Sequence, residues 1–356
     1  MTAKRIARND ILSLRTLMTG AQDQSSVRLN ANEAPDSHRF PDDNLGLNRY
    51  PEIRPSGLCR KLADLYGVPT GHLLVTRGSS EGIDILIRTF CRAGQDSILT
   101  LPPTFELYRY FAQIQSIETI SMPLSVADNF AFDADAVLEA CTSNTRLIFI
   151  CSPNNPTGNI VPFDDIARIA AAREGKSMVV VDEAYIEFSK EHSLAAKIGA
   201  HENLVVLRTL SKAYALAGAR CGAVIANKAT IDILTKVLPP FSFSTPAVDN
   251  VLQALQDDSL AAAKNCIAKI VSERKRLFDE LTRIQCVLNI WPSHGNFLLF
   301  KLADQPAVLN HLKSSKILIL GFGDQAGLKD CARITIGSES ENDAFLAALH
   351  DYGSKP

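Results

Sequence analysis

Thr209-Leu210-Ser211-Lys212-Ala213-Tyr214-Ala215-Leu216-Ala217-Gly218-Ala219-Arg220 lies between two apolar runs, Leu204-Val205-Val206-Leu207 and Cys221-Gly222-Ala223-Val224-Ile225-Ala226. Short continuous apolar runs read as buried strands. A threonine, a serine, a lysine and an arginine therefore crowd a turn between two buried strands, where polar groups need partners. Burial and a nearby cation lower a lysine pKa, and a neutral amine is a nucleophile toward carbonyls. Taken alone, a Ser-Lys pair in a turn is more simply a solvated surface loop. Its neighbours along the chain decide between the two readings.

Upstream, strand-like runs at 73–76, 97–101, 118–122, 146–151 and 177–181 alternate with helical patterns at 55–66, 83–91, 106–115 and 163–173. With 204–207 and 221–226 they predict an α/β fold, a mostly parallel sheet between two helix layers. From Lys228 the pattern turns mainly helical, at 231–238, 248–255, 259–284 and 341–352, with strands at 296–301, 316–320 and 333–336. That predicts a smaller α+β domain. The division expected is an arm over 1–45 belonging to the small domain, a large domain over 46–240 and a small C-terminal domain over 241–356. Within the arm one helix is expected around 10–17.

The composition excludes several classes. The chain has 356 residues, 46% hydrophobic and 21% charged, with a net charge of −2. That is an ordinary globular composition with no basic bias toward nucleic acid. No apolar run reaches the ~18 residues of a membrane span, and the basic N-terminus leads into no apolar signal core. The eight cysteines form no Cys-x-x-Cys pair, which suits reduced thiols in cytoplasm. The seven histidines show no metal-ligand spacing, so no metal is expected.

In a parallel sheet the ligand sits at the carboxyl ends of the strands. Gly78-Ser79-Ser80 follow the first strand, Phe105 and Tyr108 the second, Ser152-Pro153-Asn154-Asn155-Pro156-Thr157-Gly158 the run at 146–151, and Asp182-Glu183-Ala184-Tyr185 the run at 177–181. Hydroxyls and backbone N–H groups at a helix start bind phosphate, and Arg220 can add a charge-assisted pair. Asp182 can hold a heterocyclic nitrogen protonated, Tyr108 offers a ring, and Lys212 an amine. A phosphorylated pyridine aldehyde, pyridoxal 5'-phosphate, needs those partners.

Ser-Pro-Asn-Asn-Pro-Thr-Gly, Asp-Glu-Ala-Tyr and Thr-Leu-Ser-Lys with the trailing arginine resemble fold type I pyridoxal-phosphate-dependent aminotransferases. Leu29-Asn30-Ala31-Asn32-Glu33, Asn48-Arg49-Tyr50-Pro51 and Arg333-Ile334-Thr335-Ile336-Gly337 narrow the resemblance to the histidinol-phosphate aminotransferase branch. It runs from Asn30 to Gly337. The resemblance implies the transferase fold of that family, a homodimer, and transamination between histidinol phosphate and 2-oxoglutarate with glutamate as amino donor, in histidine biosynthesis. It implies Lys212 as the imine lysine and proton shuttle, Asp182 as the pyridinium partner, Tyr185 and Asn155 as donors to the cofactor's phenolic oxygen, and Tyr108 as the stacking ring. Ser79, Ser80, Ser211 and Arg220 match the phosphate cradle, with Thr209 as a supporting hydroxyl. Tyr50 matches a tyrosine reaching the other subunit's cofactor. Arg333 matches the arginine that grips the substrate's acidic end, joined by Asn32, Tyr50 and Asn155.

The chain departs from the family pattern twice. The arm reads Leu14-Arg15-Thr16-Leu17-Met18 where a tyrosine is expected, and Ile317-Leu318-Ile319-Leu320-Gly321-Phe322-Gly323 carries no second arginine. Alternatives are a family member using a carboxylate substrate such as an aromatic amino acid, an amino-acid-phosphate decarboxylase, and a non-catalytic sensor of the cofactor. The last would need a basic DNA-binding segment, for which the residues ahead of the fold are too few. Tyr108 could be plain core, Asn155 plain turn chemistry, and Glu183 and Glu33 are as readily solvated as functional. Gly321-Phe322-Gly323 lacks the third glycine of a dinucleotide loop.

Overall fold

The computed structural model describes residues 2–15, 27–35 and 46–353. Seven strands form one sheet: β1 (Leu73–Thr76), β2 (Ser97–Thr100), β3 (Glu118–Ser121), β4 (Thr145–Cys151), β5 (Met178–Asp182), β6 (Leu204–Thr209) and β7 (Gly222–Ala226), in the order β1-β7-β6-β5-β4-β2-β3. β7 runs antiparallel to both its neighbours, and the parallel ladders β2–β3, β2–β4, β4–β5 and β5–β6 account for the rest. The turn from β6 to β7 thus lies at the carboxyl edge of the parallel strands.

Successive residues of the central strands feed opposite cores, as the two-residue period of a strand requires. Val179, Val181, Leu204 and Val206 join one apolar cluster, while Met178, Val180, Val205 and Leu207 join the other. The first core is closed by helices Ser56–Tyr66, Ala134–Ala140, Phe163–Ala172 and Thr245–Ala254 through Leu58, Val137, Ile169 and Val251. The second is closed by helices Gly78–Phe90, Leu107–Ile114 and Lys228–Leu234 through Ile87, Ala112 and Ile231. Both faces being covered explains why β5 and β6 are buried along their whole lengths.

A second, antiparallel sheet is built from β8 (Val287–Trp291), β9 (Phe297–Leu302), β10 (Leu320–Gly321) and β11 (Cys331–Thr335), ordered β10-β11-β9-β8. Helices Asp257–Leu281, Gln305–Ser314 and Glu339–Gly353 cover it around Leu277, Leu312, Phe300 and Phe345. No described helix is long and apolar enough to cross a membrane.

Parts of the expected organisation are not what the structure shows. The N-terminal residues do not belong with the smaller sheet: Ala3, Ile6, Ala7 and Ile11, on short helices Thr2–Ile6 and Asn9–Ser13, pack into the large sheet's second core. Residues 16–26 and 36–45 of the expected arm lie outside the described residues. The strand expected over 316–320 shrinks to Leu320–Gly321, because the preceding helix end consumes its start. Lys316 takes a left-handed turn at φ 60°, and its N–H and that of Ile317 close onto the Lys313 and Leu312 carbonyls.

Candidate active site

A cleft of about 560 Å3, open to solvent, lies at the carboxyl edge of the large sheet. Its walls come from the turns that the sequence pattern brings there. Gly78, Ser79 and Ser80 open a helix whose first-turn N–H groups have no partner inside the helix. The N–H of Arg77, one residue earlier, is taken by the Glu81 carboxylate at 2.7 Å. Gly78 sits at φ +72°, and a Cβ there would lie 2.9 Å from Arg220 Nη2, so the guanidinium rests directly on the glycine. Arg220 Nη1 also donates to the Ala217 carbonyl at 2.9 Å and reaches Ser211 Oγ at 3.5 Å. Thr209 Oγ1 donates to Ser211 Oγ at 3.0 Å and receives the Ser211 N–H at 3.2 Å. Ser79, Ser80, Thr209, Ser211 and Arg220 therefore surround one end of the cleft.

Asp182, the last residue of β5, is 2% exposed and lines the same cleft. Its Oδ2 accepts the Tyr108 phenol at 2.9 Å and its Oδ1 the Ala184 N–H at 3.2 Å. Burial pushes its pKa up to about 6, against the opposing pull of those two donors and of Lys212. Lys212 opens onto the cleft from the β6–β7 turn, with Nζ 5.8 Å from the centre of the Tyr185 ring. Its pKa is lowered, first by desolvation and then by Arg333 and Arg220. Tyr185 is buried against Phe297 and receives the Asn155 Nδ2–H at 3.3 Å. Asn155 Oδ1 in turn accepts from Arg333, which β11 carries over from the smaller sheet. The Arg333 guanidinium also lies 5.5 Å from the centre of the Phe297 ring.

The site residues read from sequence divide into those that meet and those that do not. Ser79, Ser80, Asp182, Tyr185, Thr209, Ser211, Lys212 and Arg220 line the cleft, and Asn155 and Arg333 adjoin it through Tyr185. Tyr108 is not a cleft wall. It is fully buried, stacked on Phe149 with ring centres 4.8 Å apart, and belongs to the second core. Of the two rings that follow β2, the one lining the cleft is Phe105, set edge-on to Tyr108 at 5.7 Å. The two stand three residues apart at a helix start, so the first turn of Leu107–Ile114 carries one to the cleft and the other behind Asp182. Cys151, Ala184 and Ala217 are further lining residues that the sequence reading did not single out.

Asn32 is exposed, with backbone at φ 56°, and is not among the cleft residues. Tyr50 is 51% exposed and stacks on Phe241 at 4.7 Å, away from the cleft of its own chain. Glu33 is neither solvated nor at the cleft: it pairs with Arg28 at 2.7 Å and Arg49 at 3.0 Å and accepts the Tyr50 N–H at 2.7 Å, tying the 27–35 segment to Tyr50. Glu183 points behind the strand ends, where it pairs with Arg208 at 3.6 Å and accepts the Leu194 N–H. It is part of the scaffold.

Residues 21–349 match the family of class I and II aminotransferases, and the chain belongs to that family. Within it the chain stands among the histidinol-phosphate aminotransferases. It is 42% identical to that of Stenotrophomonas maltophilia over 329 residues, covering 92% of this chain and 90% of the relative. It is 36% identical to that of Escherichia coli over 351 residues, 98% of each. A solved histidinol-phosphate aminotransferase from Sinorhizobium meliloti, in complex with pyridoxal-5'-phosphate, superposes with a TM-score of 0.77 at 25% identity, over 86% of this chain and 83% of that one. The α/β transferase fold with its smaller antiparallel domain is thus shared, and the chain is a pyridoxal-phosphate-dependent aminotransferase.

The cleft fits that cofactor. A buried carboxylate with a raised pKa is matched by a protonated ring nitrogen, since an opposite charge restores the ionised form. A helix start, two hydroxyls and a guanidinium at one end match a phosphate.

Proposed function

We propose that this chain transaminates histidinol phosphate with 2-oxoglutarate as amino acceptor and glutamate as donor in histidine biosynthesis, acting as a cytoplasmic homodimer. The observation that carries the reading is Arg333, brought by β11 onto Asn155 and hence beside Tyr185 and Lys212. It puts a group suited to a substrate's acidic end next to the amine that does the chemistry. The eight free cysteines support a reducing compartment. In a division into a large part over 46–240 and a small part over 241–356 the two sheets fall on either side of the boundary, while helix Thr245–Ala254 packs back onto the large sheet.

When bound, pyridoxal phosphate supplies the electron sink that makes removal of the substrate's Cα proton possible. Lys212 Nζ holds and moves that proton, and its lowered pKa leaves more of the neutral, basic form near neutral pH. Asp182 opposes the ring nitrogen. Ser79, Ser80, Ser211 and Arg220 hold the phosphate, with Thr209 fixing Ser211. Tyr185 and Asn155 supply donors at the phenolic oxygen, and Phe105 supplies the flat wall. Asn155, Arg333 and Asn32 orient the substrate, with Tyr50 of the partner subunit completing the set.

Among the described residues, Leu320 stands directly opposite Arg333 in the β10–β11 register, so an apolar side chain neighbours the substrate arginine. That neighbour is the specific observation favouring the second reading, a carboxylate substrate such as an aromatic amino acid. Comparing kcat/KM for histidinol phosphate, histidine, phenylalanine and tyrosine with 2-oxoglutarate separates the two. Histidinol phosphate is expected to lead. A carboxylate substrate ahead by tenfold, ~1.4 kcal/mol, would overturn that choice.

A further inference from the structure

We propose that Tyr108 is a positioning residue whose phenol fixes the Asp182 carboxylate and keeps it ionised, and so sets the affinity for pyridoxal phosphate. The inference rests on the reading that Asp182 faces the cofactor's ring nitrogen. Four facts place Tyr108 in that role. Its hydroxyl lies 2.9 Å from Asp182 Oδ2. Its ring is fully buried and locked between Phe149, stacked at 4.8 Å, and Phe105, edge-on at 5.7 Å. Asp182 Oδ1 is already held by the Ala184 N–H, so the two donors together fix the plane of the carboxylate. The acceptor positions they leave are those available to the cleft.

The groups facing Asp182 come from four directions. Tyr108 approaches from the helix Leu107–Ile114, Cys151 from the end of β4, Tyr185 from the chain after β5 and Lys212 from the β6–β7 turn. Burial keeps the Cys151 thiol, the Tyr185 phenol and the Tyr108 phenol protonated. Lys212 is the cation of the set, and its own charged form is disfavoured by desolvation, Arg333 and Arg220. The Tyr108 hydroxyl is therefore a principal force against burial, which otherwise drives Asp182 to the neutral acid. A neutral acid gives a ring nitrogen no counter-charge.

The sign of the effect follows. Removing the phenol donor raises the Asp182 pKa above its present value of about 6. Cofactor affinity then falls at slightly acid pH and recovers as pH rises through the new pKa. A hydrogen bond to a charged group shifts a pKa by roughly one to two units. The dissociation constant of Tyr108→Phe divided by that of the native protein should therefore be about 3 to 20 at pH 6.5 and fall toward one near pH 9.

The experiment titrates the full chain, freed of cofactor, with pyridoxal phosphate across that range, following absorbance and tyrosine fluorescence. A ratio of one at every pH would overturn the proposal. So would a raised ratio that is flat with pH, the mark of lost packing. In an Asp182→Asn background, Tyr108→Phe should change affinity less than twofold, because a neutral amide has no ionisation to defend. An undiminished loss there also overturns the proposal. Should Tyr108→Phe fail to fold, Phe149→Leu, which removes the ring Tyr108 stacks on, should give the same pH-dependent ratio in weaker form, and a flat one would again overturn it. A native chain that binds no pyridoxal phosphate would sink the reading of the cleft itself, an outcome distinct from any ratio between variants.

Discussion

Asp182 is a carboxylate that the fold buries ahead of any cationic partner. Its pKa of about 6 stands above the ~3.9 of an exposed aspartate, with burial as the main cause. The folded, cofactor-free protein thus holds this proton more tightly than the unfolded chain does. The associated stability is fully present below about pH 4 and is lost as pH rises through about 6, a cost of roughly 3 kcal/mol at neutral pH. Asp182→Asn removes that titration. Urea unfolding of the cofactor-free proteins should show the variant gaining on the native chain as pH goes from 4 to 7.5, while its affinity for pyridoxal phosphate falls. Parallel stability profiles would refute the account. At this scale the sequence was informative wherever a reactive side chain sat at the end of an apolar run: Asp182, Lys212 and Arg220 were legible because nothing apolar explains them. Tyr108 and Phe105 were not separable in the same way. Both are aromatic and both follow β2, and only the packing of one helix turn against Phe149 decides which ring meets the cleft.

The cleft's phosphate-sized end depends on two elements meeting without side chains between them. Gly222 opens β7 opposite Thr76 and Thr209, and a Cβ there would lie 2.7 Å from the Arg208 carbonyl and from Gly78 C, and 2.8 Å from Ser79 N. All three are backbone atoms, which cannot rotate away. Gly222→Ala should therefore push the helix start at Gly78–Ser79 off β7. The expected cost is ~1–3 kcal/mol of stability, together with weaker binding of pyridoxal phosphate. Thermal unfolding and a cofactor titration measure the two effects, and native values in both would contradict this packing. The same scale shows why elements of the large sheet were easy to read and those of the small one were not. β4, β5 and β6 are continuous apolar runs because both faces are covered. β8 escaped notice because it is an edge strand with Leu288 and Asn289 exposed. The helix Gln305–Ser314 was also missed, although Asp304 capping the Ala307 N–H and Pro306 in its first turn marked its start. The run from Lys316 to Leu320 was too apolar for its geometry: Leu318 is 82% exposed, and a helix-ending turn occupies what composition alone reads as strand.

At the scale of the whole molecule, Tyr50 is the residue that a single chain leaves unexplained. Glu33 accepts its backbone N–H and binds Arg28 and Arg49 on either side, so a three-way clasp fixes the Tyr50 backbone while its side chain, stacked on Phe241, stays half exposed. Nearby, Val27 and Leu29 are 88% and 90% exposed and Leu47 is 49% exposed, an apolar fringe suited to a second copy. If Tyr50 serves the partner's cleft across a twofold axis, the two kinds of damage can be separated genetically. A Lys212→Ala chain keeps a good Tyr50 to lend, and a Tyr50→Ala chain keeps a good Lys212. Each homodimer should be nearly inactive. In a hybrid dimer one cleft combines both defects, while the other has Lys212 of its own chain and Tyr50 of the Lys212→Ala partner. Co-refolding the two variants in equal amounts gives hybrids as half of all dimers, each with one sound cleft. Activity should therefore return to about a quarter of the native level, and the hybrids should run as dimers in size-exclusion chromatography with light scattering. If Tyr50 acted within its own chain, both clefts of every hybrid would carry one defect and mixing would restore nothing.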